Sequence, residues 1–98
     1  MRSHYIVSYD ISDPTRLRRV YKTMRDFGDG IQFSVFACQL SDRDRATLEC
    51  RLLDIINQRE DQIIFVKLGP VVDDGDVPPR CEVLGRRLTP GNVRVLVY

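Results

Sequence analysis

Residues Tyr5 to Asp10 alternate as a strand does and run almost directly into a helix signal, and this junction restricts the possible folds more than any other feature. Tyr5, Val7 and Tyr9 fall on one side of the run, and Ile6, Ser8 and Asp10 on the other. Asp13 then suits an N-cap, because its carboxylate accepts an orphan backbone N–H. Pro14 suits the first helical position, where no donor is needed. The spacing predicts a helix over Pro14 to Phe27. At ~100° per residue, Leu17, Val20, Tyr21, Met24 and Phe27 occupy one arc of roughly 120°. Arg18, Lys22 and Arg25 lie opposite, with Arg16 and Arg19 at the flanks, and Gly28 is expected to end the helix as a glycine C-cap. Asp29 and Gly30 then read as a turn.

Ile31 to Leu40 is rich in β-formers and reads either as one long strand or as two short ones about Ser34. Ser41 is a second N-cap signal, with Asp44 in the place of the capping-box glutamate. Leu48, Leu52, Ile55 and Ile56 form the apolar stripe of a second helix ending near Asn57. Gln62 to Leu68 is a strand whose apolar residues fall on both faces, as expected of a central or covered position. A Pro/Gly/Asp-rich loop from Pro70 to Arg80 follows. Short strands are expected at Glu82–Leu84 and Val93–Tyr98. With a hairpin over Ile31–Leu40 the order is βαββαβ with a β-rich C-terminal extension over residues 80–98, which reads either as a strand crossing to a partner protomer's sheet or, through Arg86, Arg87 and Arg94, as part of a basic surface. This order is that of an α+β, ferredoxin-like fold with both helices on one face of an antiparallel sheet. The opposite face carries large apolar residues and needs a cover, for which a second copy of the chain is the economical choice.

Ninety-eight residues suffice for one domain, spanning 1–98, and not for two cores. The three cysteines, Cys38, Cys50 and Cys81, are odd in number and widely spaced, unlike a secreted disulfide framework. Neither a signal-peptide core nor a membrane-spanning apolar run is found, so the expected compartment is the cytoplasm. A net charge of +1 does not mark a nucleic-acid binder, but Arg16, Arg18, Arg19, Lys22 and Arg25 concentrate five cations within ten residues. Such a face suits phosphate backbones, and it equally suits solvent. Tyr21, read as buried, leaves little aromatic interleaving, which favours phosphate tracking over base stacking.

Asp10 is the first candidate for chemistry. It ends a strand just before a loop, where a carboxylate is exposed yet rigidly held. One carboxylate is a weak divalent site, but a two-fold axis nearby adds a second from a partner protomer, and Mg2+ retains several waters. His4, the only histidine, has no cysteine at ligand spacing and reads as a surface residue. Asp73, Asp74 and Asp76 lack the spacing of a calcium loop.

Tyr5-Ile-Val-Ser-Tyr9-Asp10-Ile11, then Asp13 and Arg16, then Gly28, Gln32, Ser34, Val35 and Phe36, resemble the signature of the small core CRISPR adaptation protein family. The likeness is close over about the first forty residues. It implies a homodimer with a magnesium site formed by the aspartate that ends the first strand of each protomer, matching Asp10 here. It further implies endonuclease action on RNA or double-stranded DNA, and association with the CRISPR adaptation integrase, where the small protein bridges integrase dimers. Many members carry an arginine two residues before the glutamine of Q-x-S-V-F. Gly30 stands there in this chain, so another cation, Arg16 or Arg19, would have to stabilise charge at phosphorus. Three readings follow. The first is a metal-dependent endonuclease with Asp10 and Arg16 as catalytic residues. The second is a non-catalytic nucleic-acid-binding scaffold whose cations track phosphates. A regulatory module with a small ligand ranks last.

Overall fold

The computed structural model describes residues 1–72, 82–86 and 96–97. Its elements are β1 (Arg2–Asp10), α1 (Pro14–Arg25), β2 (Gly28–Gln32), β3 (Val35–Ser41), α2 (Asp42–Leu53), β4 (Gln62–Pro70), β5 (Glu82–Val83) and β6 (Leu96–Val97). The main sheet has the order β2-β3-β1-β4 and is antiparallel throughout, the ferredoxin-like arrangement. Ile31–Leu40 thus resolves into a hairpin, with its turn at Phe33-Ser34 and the first strand beginning earlier, at Gly28. β5 and β6 form a separate two-stranded parallel pair within the chain. The Asp73, Asp74 and Asp76 loop, Arg87, Arg94 and most of the expected final strand lie outside the described residues. Among the described residues, no helix is long and apolar enough to cross a membrane.

Both helix starts follow from their caps. Asp13 accepts from the Arg16 N–H at 2.9 Å, with Pro14 at the first position of α1. At α2, Ser41 Oγ accepts from Asp44 N–H and the Asp44 carboxylate accepts from Ser41 N–H, a complete capping box. The helix ends differ from expectation. α1 stops at Arg25 with Asp26 as cap, so Gly28 is a strand residue and not a C-cap. Its glycine has another cause: a Cβ there would lie 2.5 Å from both the Ala37 carbonyl oxygen and Cys38 Sγ, so β2 can approach β3 only without a side chain. α2 stops at Leu53, and Ile55 and Ile56 pack on the core from the turn that follows.

The core lies between the sheet and the helices. Tyr5, Val7 and Tyr9 from β1 and Phe36, Cys38 and Leu40 from β3 meet Val20 and Met24 of α1 and Leu48 and Leu52 of α2. Each large apolar side chain buried here contributes about 1.5–3 kcal/mol. At the sheet's β4 side, the Arg45 guanidinium sits 3.8 Å from the Phe65 ring centroid and closes the layer. Arg51 of α2 reaches Asp26 at the end of α1, at 3.0 Å.

Three expectations need correction. Tyr21 is 43% exposed, because its arc position falls on the rim of the helix–sheet contact, where its ring packs edge-on against Phe36. His4 is buried, since it lies in the central strand between Gln39 of β3 and Gly69 of β4, beside a bulge that Gly69 makes possible with φ +126°. β4 is an edge strand of this chain, not a central one. Its Ile63 and Phe65 face the core, while Ile64, Val66 and Leu68 stay about half exposed on the helix-free face.

Candidate metal-ligand and nucleic-acid site

Asp10 is the last residue of β1 and is exposed. By strand alternation it shares the helix-free face with Ile6 and Ser8, at one end of the apolar strip that includes Ile64 and Val66. Its backbone pairs with Gln62 of β4, so two neighbouring strands fix its position: β3 up to Ser8 and β4 as far as Asp10 itself. Among the described residues no three His, Cys, Asp or Glu side chains gather around one point. Asp10 thus offers a single carboxylate per chain at this end of the sheet.

The loop after Asp10 is held by a residue the sequence did not single out. Asp61, in the turn before β4, has a fully buried side chain that accepts from Ser12 N–H (3.0 Å), Ser12 Oγ–H (3.1 Å), Asn57 N–H (2.9 Å) and Arg16 Nε–H (2.8 Å). Arg16 Nη2 also reaches Glu60 at 3.1 Å. The hydrogen bond from Arg16, with help from the Asn57 and Ser12 donors, holds the Asp61 carboxyl well below the usual carboxylate range despite its burial. Arg16 was expected to face a phosphate. The structure places it in this network, tying α1 to the α2–β4 turn. Nothing in the sequence linked Arg16 to a carboxylate 45 positions away.

Arg18, Arg19, Lys22 and Arg25 are exposed along α1, as their spacing predicted. Arg25 lies 5.8 Å from the Tyr21 ring centroid. Tyr9, next to Asp10, points the other way into the core. Burial, with Tyr21 nearby, pushes its phenol up to about 12, so it stays a proton donor at neutral pH and is no general base. Its hydroxyl donates to the Phe33 carbonyl at 3.4 Å. Gly30 is exposed in β2, open on one side and in ordinary contact with the Phe36 ring on the other.

Comparison with known proteins gives concordant matches. The family model described as CRISPR associated protein Cas2 matches residues 2–72. A protein named CRISPR-associated endoribonuclease Cas2, from Geobacter sulfurreducens, is 38% identical over 90 residues, covering 92% of each chain. The crystal structure of hypothetical protein TT1823 from Thermus thermophilus superposes with a TM-score of 0.74 at 26% identity, covering 93% of this chain and 100% of that one. That of Streptococcus pyogenes Cas2 at pH 6.5 gives 0.64 at 35% identity, over 67% of this chain and 86% of that one.

Proposed function

The chain belongs to the CRISPR associated protein Cas2 family, and from that membership we propose that it is a homodimeric, magnesium-dependent endonuclease of CRISPR spacer acquisition, cutting phosphodiesters of RNA or double-stranded DNA in the cytoplasm. The observation that carries this reading is the position of Asp10, exposed at the end of a central strand on the helix-free apolar face. Packing that face against its copy would bring two identical carboxylates to one locus. Relatives named as endoribonucleases support the activity.

In this reading Asp10 of each protomer holds Mg2+. When bound there, the ion would polarise a water for attack and offset charge building on the phosphate oxygens. The chain's own residues do the rest. Arg18, Arg19, Lys22 and Arg25 hold the backbone phosphates and fix its path. Arg16 acts through position: with Asp61 it pins Ser12, and so the loop leaving Asp10. With Gly30 in place of the usual arginine and Arg16 engaged by Asp61, stabilisation of charge at phosphorus falls to Arg19, the other candidate.

Gly30 also favours a second reading, in which the chain is a scaffold that grips nucleic acid and bridges dimers of the CRISPR adaptation integrase without cutting. Incubating wild type and Asp10→Asn with RNA and duplex DNA, with and without Mg2+, separates the two. The enzyme reading expects a chelator-sensitive cut that Asp10→Asn abolishes with the fold intact. Uncut substrate with wild type, together with binding that Arg18→Glu/Lys22→Glu eliminates, would leave the scaffold.

A further inference from the structure

The tip of the β2–β3 hairpin is built from an unusual residue. Tight hairpin turns favour Asn, Asp and Gly, whose backbones accept the turn dihedrals. Here the turn holds Phe33, and its ring is 82% exposed. The fold uses only the backbone of this turn: the Phe33 carbonyl accepts from Tyr9 Oη, and the Ser34 carbonyl accepts from Tyr9 N–H at 3.0 Å. Among the described residues, no ring contact in the core accounts for the phenyl group.

That ring lies on the rim of an open groove of about 1310 Å³ between α1 and β2. Tyr21, 43% exposed, stands on the α1 wall, with Arg18, Lys22 and Arg25 along the same helix. Arg86 adds a fourth cation from the C-terminal segment, whereas Asp29 is the single carboxylate among the described lining residues. Cations that hold phosphates and open aromatic faces that hold bases are the two components of a single-strand site. Bases inside a duplex already stack on each other and offer no free face to a protein ring at this depth.

We propose that the α1–β2 groove binds an unpaired nucleotide, with Phe33 as the stacking platform and Arg18, Lys22 and Arg25 holding the flanking phosphates. This deepens the nucleic-acid reading above and rests on it. It reverses the expectation that α1 only tracks backbones, because that expectation depended on a buried Tyr21.

The test measures fluorescence anisotropy of a labelled short oligoribonucleotide and of the same sequence as a duplex, both in chelator so that no strand is cut. Phe33→Ala is expected to weaken single-strand binding by about fivefold or more and to leave duplex binding unchanged. Phe33→Trp should restore single-strand affinity, and Arg18→Glu/Lys22→Glu should weaken both ligands. Equal single-strand affinity in Phe33→Ala, or an equal loss on duplex, would overturn the proposal. So would a changed oligomer mass in Phe33→Ala, which would make the ring a protein contact. Metal plays no part in these measurements, so an active Asp10→Asn enzyme would sink the metal site and leave this comparison intact.

Discussion

Nε of Arg16 lies 2.8 Å from Oδ2 of Asp61, and this contact joins the first turn of α1 to the turn before β4. Because the Asp61 side chain is fully buried and accepts five hydrogen bonds, its loss leaves Ser12 and Asn57 N–H groups without their partner. Asp61→Ala should cost about 2 kcal/mol, below the full value of a buried pair because Arg16 is partly exposed to water. Urea denaturation checks it, and a midpoint equal to wild type would show the network to be incidental.

The same carboxylate gives stability a direction with pH. Its pKa is lower folded than unfolded, so its contribution is whole above the unfolded value of about 4 and declines as pH falls below that toward the folded value. Wild type should lose stability between about pH 4 and pH 2.5 more steeply than Asp61→Asn. Thermal unfolding across that range, with parallel curves for the two proteins, would contradict it.

Two glycines two residues apart should respond differently to alanine. Gly28→Ala drives a Cβ against the Ala37 carbonyl, which is backbone and cannot swing aside. A loss of about 2 kcal/mol, or roughly 10 °C in melting temperature, is expected. At Gly30 the new Cβ meets only the Phe36 ring at 3.6 Å, and the melting temperature should hold. Equal midpoints for the two variants would refute the close-approach account of Gly28.

If the helix-free face is where two copies meet, a charge at its centre should separate them. Val66→Glu sits between Ile64 and Leu68, all about half exposed. Light scattering after size exclusion should give a dimer for wild type and a monomer for the variant, with unchanged circular dichroism. A monomeric wild type would remove the second Asp10 from the proposed site.

Cys38 and Cys50 should differ sharply in reactivity. Burial, with the Asp29 charge adding to it, pushes the Cys38 thiol up to about 12, while Cys50 is exposed on α2. Alkylation at about pH 8 in a Cys81→Ser background, read by mass spectrometry, should modify Cys50 alone until denaturant is added. Comparable rates at both sites would mean that the β3 layer opens readily.

Signals that act within a few residues were legible in the sequence. Asp13, Pro14, Ser41 and Asp44 do in the fold what their types and spacing indicated, and the charged positions of α1 are where periodicity put them. The hairpin was ambiguous because β-formers run through Phe33-Ser34 without a turn glycine. Gly28 was misread because a glycine after a helix serves equally as a cap or as a close-packed strand residue, and only the distance to Ala37 decides. β4 read as central or covered because apolar residues on both faces look alike in a central strand and in an edge strand with a bare face. At the candidate site, Asp10 stood out through its strand-end position. Asp61 did not, since its main partners, Ser12 and Arg16, lie more than forty positions away and only folding brings them to it.

β1 precedes the other strands in sequence yet lies inside the sheet: Val7 pairs with Phe36 on one side and with Phe65 on the other. Closing the sheet thus joins Val7 to a partner 58 positions further on, and pairing across so many residues is slow. Until β4 docks, one backbone edge of β1 stays open, and that is where a foreign strand could add itself.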